Sequence, residues 1–299
     1  MDGIDIKILR ILGKNCRESY EDIAKKIDVT SNTVRRRIEK LEQNGVIEKF
    51  VILPSFAMVN AEFAVIFIDS KEYRFDDTIM ENIISHPGVL SVGYDNSGSY
   101  VIRAEYSGSR GLLEMRSYFE SLRGTNKVLI HTIPVNPGSI KEFSEQQLCV
   151  IKALRMNPRM SHQGIAKATG LSLKRVRRLL DEIITSNAIT LTTEVNLQSS
   201  KNTIVVLRMK WDPRKANLDD ITNWMESKFS ESLYNLSFSA HESVVFAFII
   251  LSSLNETIPI VESISVNEAL KLESMGAVFT IKRAPGLREM HLDKMLENI

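Results

Sequence analysis

Short polar side chains and arginines stand together at two places in the chain, and what they share chemically is hydrogen bonding to anions and to the edges of nucleic-acid bases. The first place holds Ser31, Asn32, Thr33, Arg35, Arg36 and Arg37; the second holds Lys174, Arg175, Arg177 and Arg178. In "SNTVRRRIEKL" the apolar residues Val34, Ile38 and Leu41 recur at helical spacing. Burying that stripe leaves Asn32, Arg35, Arg36 and Glu39 on the opposite side of the helix. In "LKRVRRLLDEI" the same argument buries Val176, Leu180 and Ile183 and presents the second cationic set. A cationic helix face of this width suits the major groove of double-stranded DNA, with arginine serving guanine edges or phosphates and Ser and Asn serving other base edges. The first helix, over 31–43, is therefore expected to read bases. The second, over 173–184, has "LKR" where the first has "SNT", which suits phosphate contact.

Each of these helices needs companions to hold it out to solvent, and the flanking sequence supplies them. Ile4, Ile8, Ile11 and Leu12 have the spacing of one buried helix face. Ser19, with Asp22 three residues on, opens a short helix over Tyr20–Ile27. Thr30 is placed to cap the third helix, Asn44-Gly45 ends it, and "VIEKFVILP" alternates like a short strand that would form a wing. The whole group then recurs. Sliding the chain so that Val34 falls on Val176 lays "ILGKNCRESYEDIAKKIDVTSNTVRRRIEKLEQNGVI" over "ALRMNPRMSHQGIAKATGLSLKRVRRLLDEIITSNAI" without a gap, with Asn15 on Asn157, Arg17 on Arg159, Ser19 on Ser161, Arg35 on Arg177 and Arg36 on Arg178. After each group the apolar periodicity reads strand, helix, strand, strand, helix, strand, first over 61–137 and again over 203–285. The expected domains are 1–55, 60–138, 143–198 and 202–286, with a tail over 287–299.

Composition narrows the classes. A chain of 299 residues, 43% hydrophobic and 25% charged, reads as a folded globular protein. The longest apolar run, "SVVFAFIIL", is too short to span a bilayer, and "MDGIDIKILR" lacks the basic start and apolar core of a leader peptide, so a cytoplasmic protein without membrane contact is expected. The net charge of +1 gives no global attraction to polyanions, so the cationic signal is local. From 146 to 180 there is no acid, while Lys152, Arg155, Arg159, Lys167, Lys174, Arg175, Arg177 and Arg178 are all cationic. Cys16 and Cys149 are too few and too far apart for a disulfide framework or a thiolate metal site.

The stretch "LRILGKNCRESYEDIAKKIDVTSNTVRRRIEKLEQNGVIEKFVI", and within it "IAKKIDVTSNTVRRRIEKLEQNGVI" above all, resembles the winged helix-turn-helix of the Lrp/AsnC, or feast/famine, regulators, here of archaeal type and tandemly duplicated. The resemblance implies an α+β fold in which two winged helix-turn-helix domains alternate with two βαββαβ, ferredoxin-like (RAM-type) domains. It also implies transcription regulation through DNA binding, pairing of the βαββαβ sheets, and a small-molecule effector such as an amino acid. Family members carry a G-x-x-D-like turn between the second and third strands of that domain. Here "YDNSGSYVIR" has Gly98, but an apolar residue occupies the place of the Asp and Asp95 comes before the glycine. Asp95, Ser97, Gly98 and Ser99 are the effector-site candidates. With both copies in one chain, a short tether gives a local concentration of about millimolar or more, so an intramolecular pseudo-dimer is expected, with further homo-oligomer formation left open.

Siroheme decarboxylases resemble the same architecture, so an enzyme is the alternative reading, beside an interaction module that does not bind DNA. Such enzymes need histidines and arginines facing a tetrapyrrole. His86, His131, His162, His241 and His291 do not match one another across the repeat, and each reads as a surface or capping residue. No HExxH, GxSxG, P-loop or paired-cysteine motif is present. The expectation is a non-enzyme without cofactor or metal.

Overall fold

The computed structural model describes residues 1–70 and 75–297. In the first half, α1 (Gly3–Lys14), α2 (Tyr20–Ile27) and α3 (Ser31–Gln43) form a head, followed by the wing strand β1 (Ile47–Pro54) and a short α4 (Phe56–Val59). Then come β2 (Glu62–Ser70), α5 (Asp77–Ile84), β3 (Val89–Asp95), β4 (Ser99–Tyr106), α6 (Gly108–Ser121) and β5 (Thr125–Ile133). The second half repeats the series with α7 (Glu145–Met156), α8 (His162–Thr169), α9 (Leu173–Thr185), β6 (Ile189–Val195), β7 (Thr203–Trp211), α10 (Leu218–Lys228), β8 (Leu233–Phe238), β9 (Val244–Leu251), α11 (Thr257–Ser265) and β10 (Leu270–Arg283). A last helix, α12 (Leu287–Leu296), has no counterpart among the described residues of the first half. The fold is therefore α+β, with two winged helix-turn-helix heads alternating with two βαββαβ units.

The local signals that start the helices are repeated as well. Asp2 caps α1 and Asp5 returns the bond in a reciprocal capping box; Ser144 and Gln147 do the same at α7. Ser19 and Thr30 cap α2 and α3, and Ser161 and Ser172 cap α8 and α9. Val34, Ile38 and Leu41 are buried in the first head, as are Val176, Leu180 and Ile183 in the second. In α1, Ile6 and Leu9 are buried with Ile8 and Leu12, whereas Ile4 and Ile11 are half-exposed. The helix is covered on more than one side, because it also lies along β6 and β8, and it is tied to α10 and the segment after it by the pairs of Arg10 with Glu226 and Lys7 with Glu231.

The strands order as β5-β2-β4-β3 in the first half and β10-β7-β9-β8 in the second. The two sheets join through β3 and β10. β10 is the longest strand because it serves both sheets, pairing with β7 from Leu270 to Val278 and with β3 from Val278 to Arg283. Side chains at the crossing must be small: a Cβ on Gly276 would overlap the Asp95 carboxylate, and one on Gly93 would lie 2.8 Å from Val278 Cγ1. Beyond the crossing the sheets turn face to face. Phe63, Val65 and Phe67 of β2 and Val101 of β4 pack with Val206 of β7 and Val244 and Phe246 of β9, and the Phe67 and Phe246 rings stack at 5.3 Å. The opposite faces bury Ile66, Ile68 and Ile102 under α5 and α6, and Leu207, Met209 and Ile249 under α10 and α11. Buried on both faces, these strands are rich in β-branched and aromatic residues.

Two expectations change. The segment expected to be a tail is helical: Leu292 and Leu296 of α12 enter the core of the second head, while residues 298–299 lie outside the described residues. His131, expected at a surface or cap, is buried between the sheets against Phe67 and Phe246, with Nδ1 3.3 Å from Ser239 Oγ. His86 does act as a cap, its Nδ1 accepting from the Gly88 N–H at 3.1 Å.

Burial holds the His131 imidazole below its ordinary pKa of 6.5; Arg208 and His241 act in the same direction, while Glu242 and Glu273 oppose it. As pH falls through the ordinary histidine range, the unfolded chain takes up a proton that the folded His131 resists, so the stability it contributes at neutral pH is lost on acidification. His131→Phe, which keeps the ring stack and removes the titration, is expected to show a shallower fall in melting temperature between about pH 7.5 and about pH 5.5 than the parent chain. Identical pH profiles for the two proteins would show that His131 does not couple sheet pairing to protonation.

Candidate nucleic-acid interface

The wings hold the heads together. β1 and β6 pair antiparallel from Ile47 opposite Val195 to Pro54 opposite Ile189. Phe50 lies opposite Thr193 and Val51 opposite Thr192, while the repeat equates Phe50 with Thr192 and Val51 with Thr193. The ribbon thus has a local two-fold axis between these residues, and the heads hang from it as near-equivalent objects. Two repeat-related arginines complete the junction. Arg17 Nη1 donates to the carbonyl oxygens of Pro158, at 2.6 Å, and Met160, at 2.9 Å; Arg159 Nη1 donates to that of Cys16. Arg159 also lies over the rings of Tyr20 and Phe50, at 5.1 and 5.3 Å. The sequence showed these arginines as an identity of the repeat, but not that each reaches into the other head.

α3 presents Ser31, Asn32, Arg35 and Arg36 to solvent. Arg36 has no ion pair among the described residues, and Arg35 pairs with Glu39 at 2.9 Å on a largely exposed face. Thr33 is partly withdrawn, sharing a 2.8 Å hydroxyl contact with its capping residue Thr30. Arg37 departs from the expectation. It lies against α1, where Nη1 meets Asp2 at 2.7 Å and Asp5 at 2.9 Å, and so binds the third helix to the first. In the second head the equivalent residue is the buried Leu179, so a core contact takes the place of this ion pair.

α9 presents Lys174, Arg177 and Arg178 to solvent. Arg178 is loosely paired with Glu182 at 3.4 Å, and Arg175 is half-buried with Nε donating to Gln146 at 2.7 Å. The acid-free stretch is less free than its charge count implies. Arg155 is bound to Asp293 and Glu289 of α12, both at 3.0 Å, and Arg159 belongs to the head junction. These acids lie more than a hundred residues away in sequence, so a local charge count could not include them.

The effector candidates are occupied by their own turn. Asp95 Oδ1 accepts from the N–H of Ser97 at 2.9 Å, the hydroxyl of Ser97 at 2.6 Å and the N–H of Ser99 at 3.1 Å, and Gly98 has a φ of 81°. Ser99 Oγ donates to Asp69, and Asn96 bonds to the Ala277 backbone of β10 in both directions. This hairpin tip is sealed against the neighbouring strand. A roomy space lies elsewhere, in a cavity of about 780 Å³ between the heads and the sheets, with no histidine among the described residues of its wall.

Comparison with known proteins adds to this picture. Residues 1–48 match a family model of winged helix-turn-helix DNA-binding domains. The HTH-type transcriptional regulator LysM of Saccharolobus solfataricus is 35% identical over 136 residues, which is 44% of this chain and 93% of that protein. The LysM regulator of Sulfurisphaera tokodaii is 33% identical over 129 residues, 43% of this chain and 89% of that protein. Among solved structures, the siroheme decarboxylase NirDL matches 99% of both chains with a TM-score of 0.55 at 14% identity, a likeness of tandem fold.

Removing the Arg37 clamp should loosen the first head without touching its outer face. Arg37→Ala is expected to lower stability by about 1 kcal/mol, since the side chain is about a quarter exposed and the pair is partly screened. A denaturation curve within a few tenths of the parent's would show that the pairs with Asp2 and Asp5 contribute nothing to holding α3.

Proposed function

The chain belongs to the Lrp/AsnC family of winged helix-turn-helix transcriptional regulators, and from that premise we propose that it regulates transcription by gripping duplex DNA with two unequal heads of one molecule. In this reading α3 enters the major groove, with Arg35, Arg36, Asn32 and Ser31 toward the bases, and α9 anchors on phosphates through Lys174, Arg177 and Arg178. The observation that carries it is the wing ribbon: its local two-fold presents two cationic helix faces in related orientations. Two heads so related suit half-sites about one helical turn apart, one well defined and one degenerate. The working unit is the intramolecular pseudo-dimer, acting in the cytoplasm. An enzymatic reading has less support. The histidines it requires do not line the cavity, and the relatives that share this chain's sequence are named as regulators.

The two heads are expected to respond differently to mutation. Arg35→Ala and Arg36→Ala should each weaken binding to the preferred duplex roughly fivefold to hundredfold while changing a scrambled duplex much less, as loss of a base contact does. Unchanged affinity in both would rule out α3 as the reader. Arg177→Ala and Arg178→Ala should instead weaken both duplexes alike, with the slope of log affinity against log salt falling by about one per arginine. A loss confined to the preferred sequence would assign base reading to α9 as well.

A further inference from the structure

The cavity between the heads and the sheets holds an arrangement that DNA binding does not use. Successive pairings place Val65 of β2, Arg103 of β4, Ser91 of β3 and Arg283 of β10 side by side across four strands. Directly paired residues share a face, so the two arginines project together from the floor, about 10 Å apart at the backbone. Arg103 is surrounded by protein yet keeps its guanidinium exposed along this half-open cavity, and Arg283 is exposed there as well. The Arg103 guanidinium is 5.5 Å from the Phe63 ring and has no carboxylate or hydrogen-bond partner among the described residues. Arg283 bonds to the Val195 carbonyl oxygen and has no carboxylate within ion-pair distance among the described residues. Desolvation by the surrounding protein pushes the Arg103 pKa down, and the nearby Arg283 and Arg288 push it further, against Tyr234 and Glu105. The acids of the wall are mostly answered elsewhere: Glu105 by Arg288 at 2.6 Å, Glu226 by Arg10, Glu194 and Glu289 by Lys49. Two guanidinium groups side by side without carboxylate partners leave their donors and charge available to an anion that enters the cavity.

The rest of the wall narrows the ligand. From the opposite sheet Tyr234 brings a hydroxyl close enough to feel the charges of Arg103 and Arg283, and Leu236 and Phe248 add apolar surface. A volume of about 780 Å³ is in the range of sites for ligands of drug or cofactor size, well beyond what a single inorganic anion needs. We propose that this cavity is a binding site for an organic dicarboxylate with an apolar, ring-sized body, its two carboxylates held by Arg103 and Arg283. Planar guanidinium forks match carboxylates in pairs, which is why two arginines on one floor select two acid groups. The site is separate from the Asp95 turn and stands or falls independently of DNA binding.

The test uses the full chain, with naphthalene-2,6-dicarboxylate as probe and 2-naphthoate as its one-carboxylate control, followed by calorimetry and by the probe's own fluorescence. The dicarboxylate is expected to bind saturably with one molecule per chain, about tenfold or more tighter than the monocarboxylate. Arg103→Gln and Arg283→Gln should each weaken it about tenfold or more, and Arg103→Lys should restore part of the loss. Melting curves and duplex binding without ligand establish that the variants are folded, and Arg283→Gln supplies the readout from a different strand should Arg103→Gln fail to fold. Absence of saturable binding, equal binding of the two naphthalene acids, or an affinity indifferent to both arginine variants would overturn the site.

Discussion

The antiparallel pairing of the two wings fixes everything that the heads can do. A strand pair alone tolerates slippage when its faces are alike, but here Arg17 and Arg159 cross the axis to backbone oxygens of the opposite head, so a shift of one residue would break both contacts at once. The ribbon thereby fixes the direction in which α3 and α9 point. Each head's core also takes in residues of the other half, Val195 and Leu197 in the first and Cys16 and Ile52 in the second, so the junction supplies apolar burial while the hydrogen bonds to carbonyl oxygens supply orientation.

Symmetry ends at the sheets. β10 runs on to pair with β3, whereas its counterpart β5 stops short and makes one backbone contact with the second sheet, the Ala240 N–H donating to the Thr132 carbonyl oxygen. The extension leads into α12, which reaches the wing β1, α4, β4 and the second head. Arg288 binds the buried Glu105 and lies 3.9 Å from the Phe56 ring centre; Glu289 and Asp293 take Arg155; Leu292 and Leu296 fill the second head. Glu105 is 1% exposed, so its charge depends on Arg288 and the α12 N-terminus for solvation. One helix on one half thus adds Arg288 and Glu289 to the cavity wall on one side only, and the two halves are chemically distinct despite the repeat in their sequence.

How much of this could be read from the sequence follows from the range of each interaction. Helices and their caps depend on residues within four positions, so α2 and α3 lie at the bounds that Ser19, Thr30 and the Val34-Ile38-Leu41 stripe predict. The βαββαβ order was legible for the same reason, through alternation and turn residues. What was not legible depends on partners far along the chain. Arg37 and Arg155 look like members of a cationic face until Asp2, Glu289 and Asp293 fold onto them. His131 sits in an ordinary strand until a second sheet covers it, and Arg103 becomes notable only when four strands line up beside it. The 287–299 segment shows little periodicity because α12 is gripped by ions on one side and by the second head on another, and no clean stripe results.

Joining the two heads by chain and by ribbon also changes how the molecule counts itself. A regulator assembled from free single-head subunits must first pair, so the population competent to grip two half-sites grows with the square of its concentration when subunits are scarce. Here Ile47 through Pro54 meets Ile189 through Val195 within one molecule, and that quadratic step disappears. Two-headed molecules rise in direct proportion to the number of chains, down to the last copy, and the dose response loses the threshold that subunit assembly would impose.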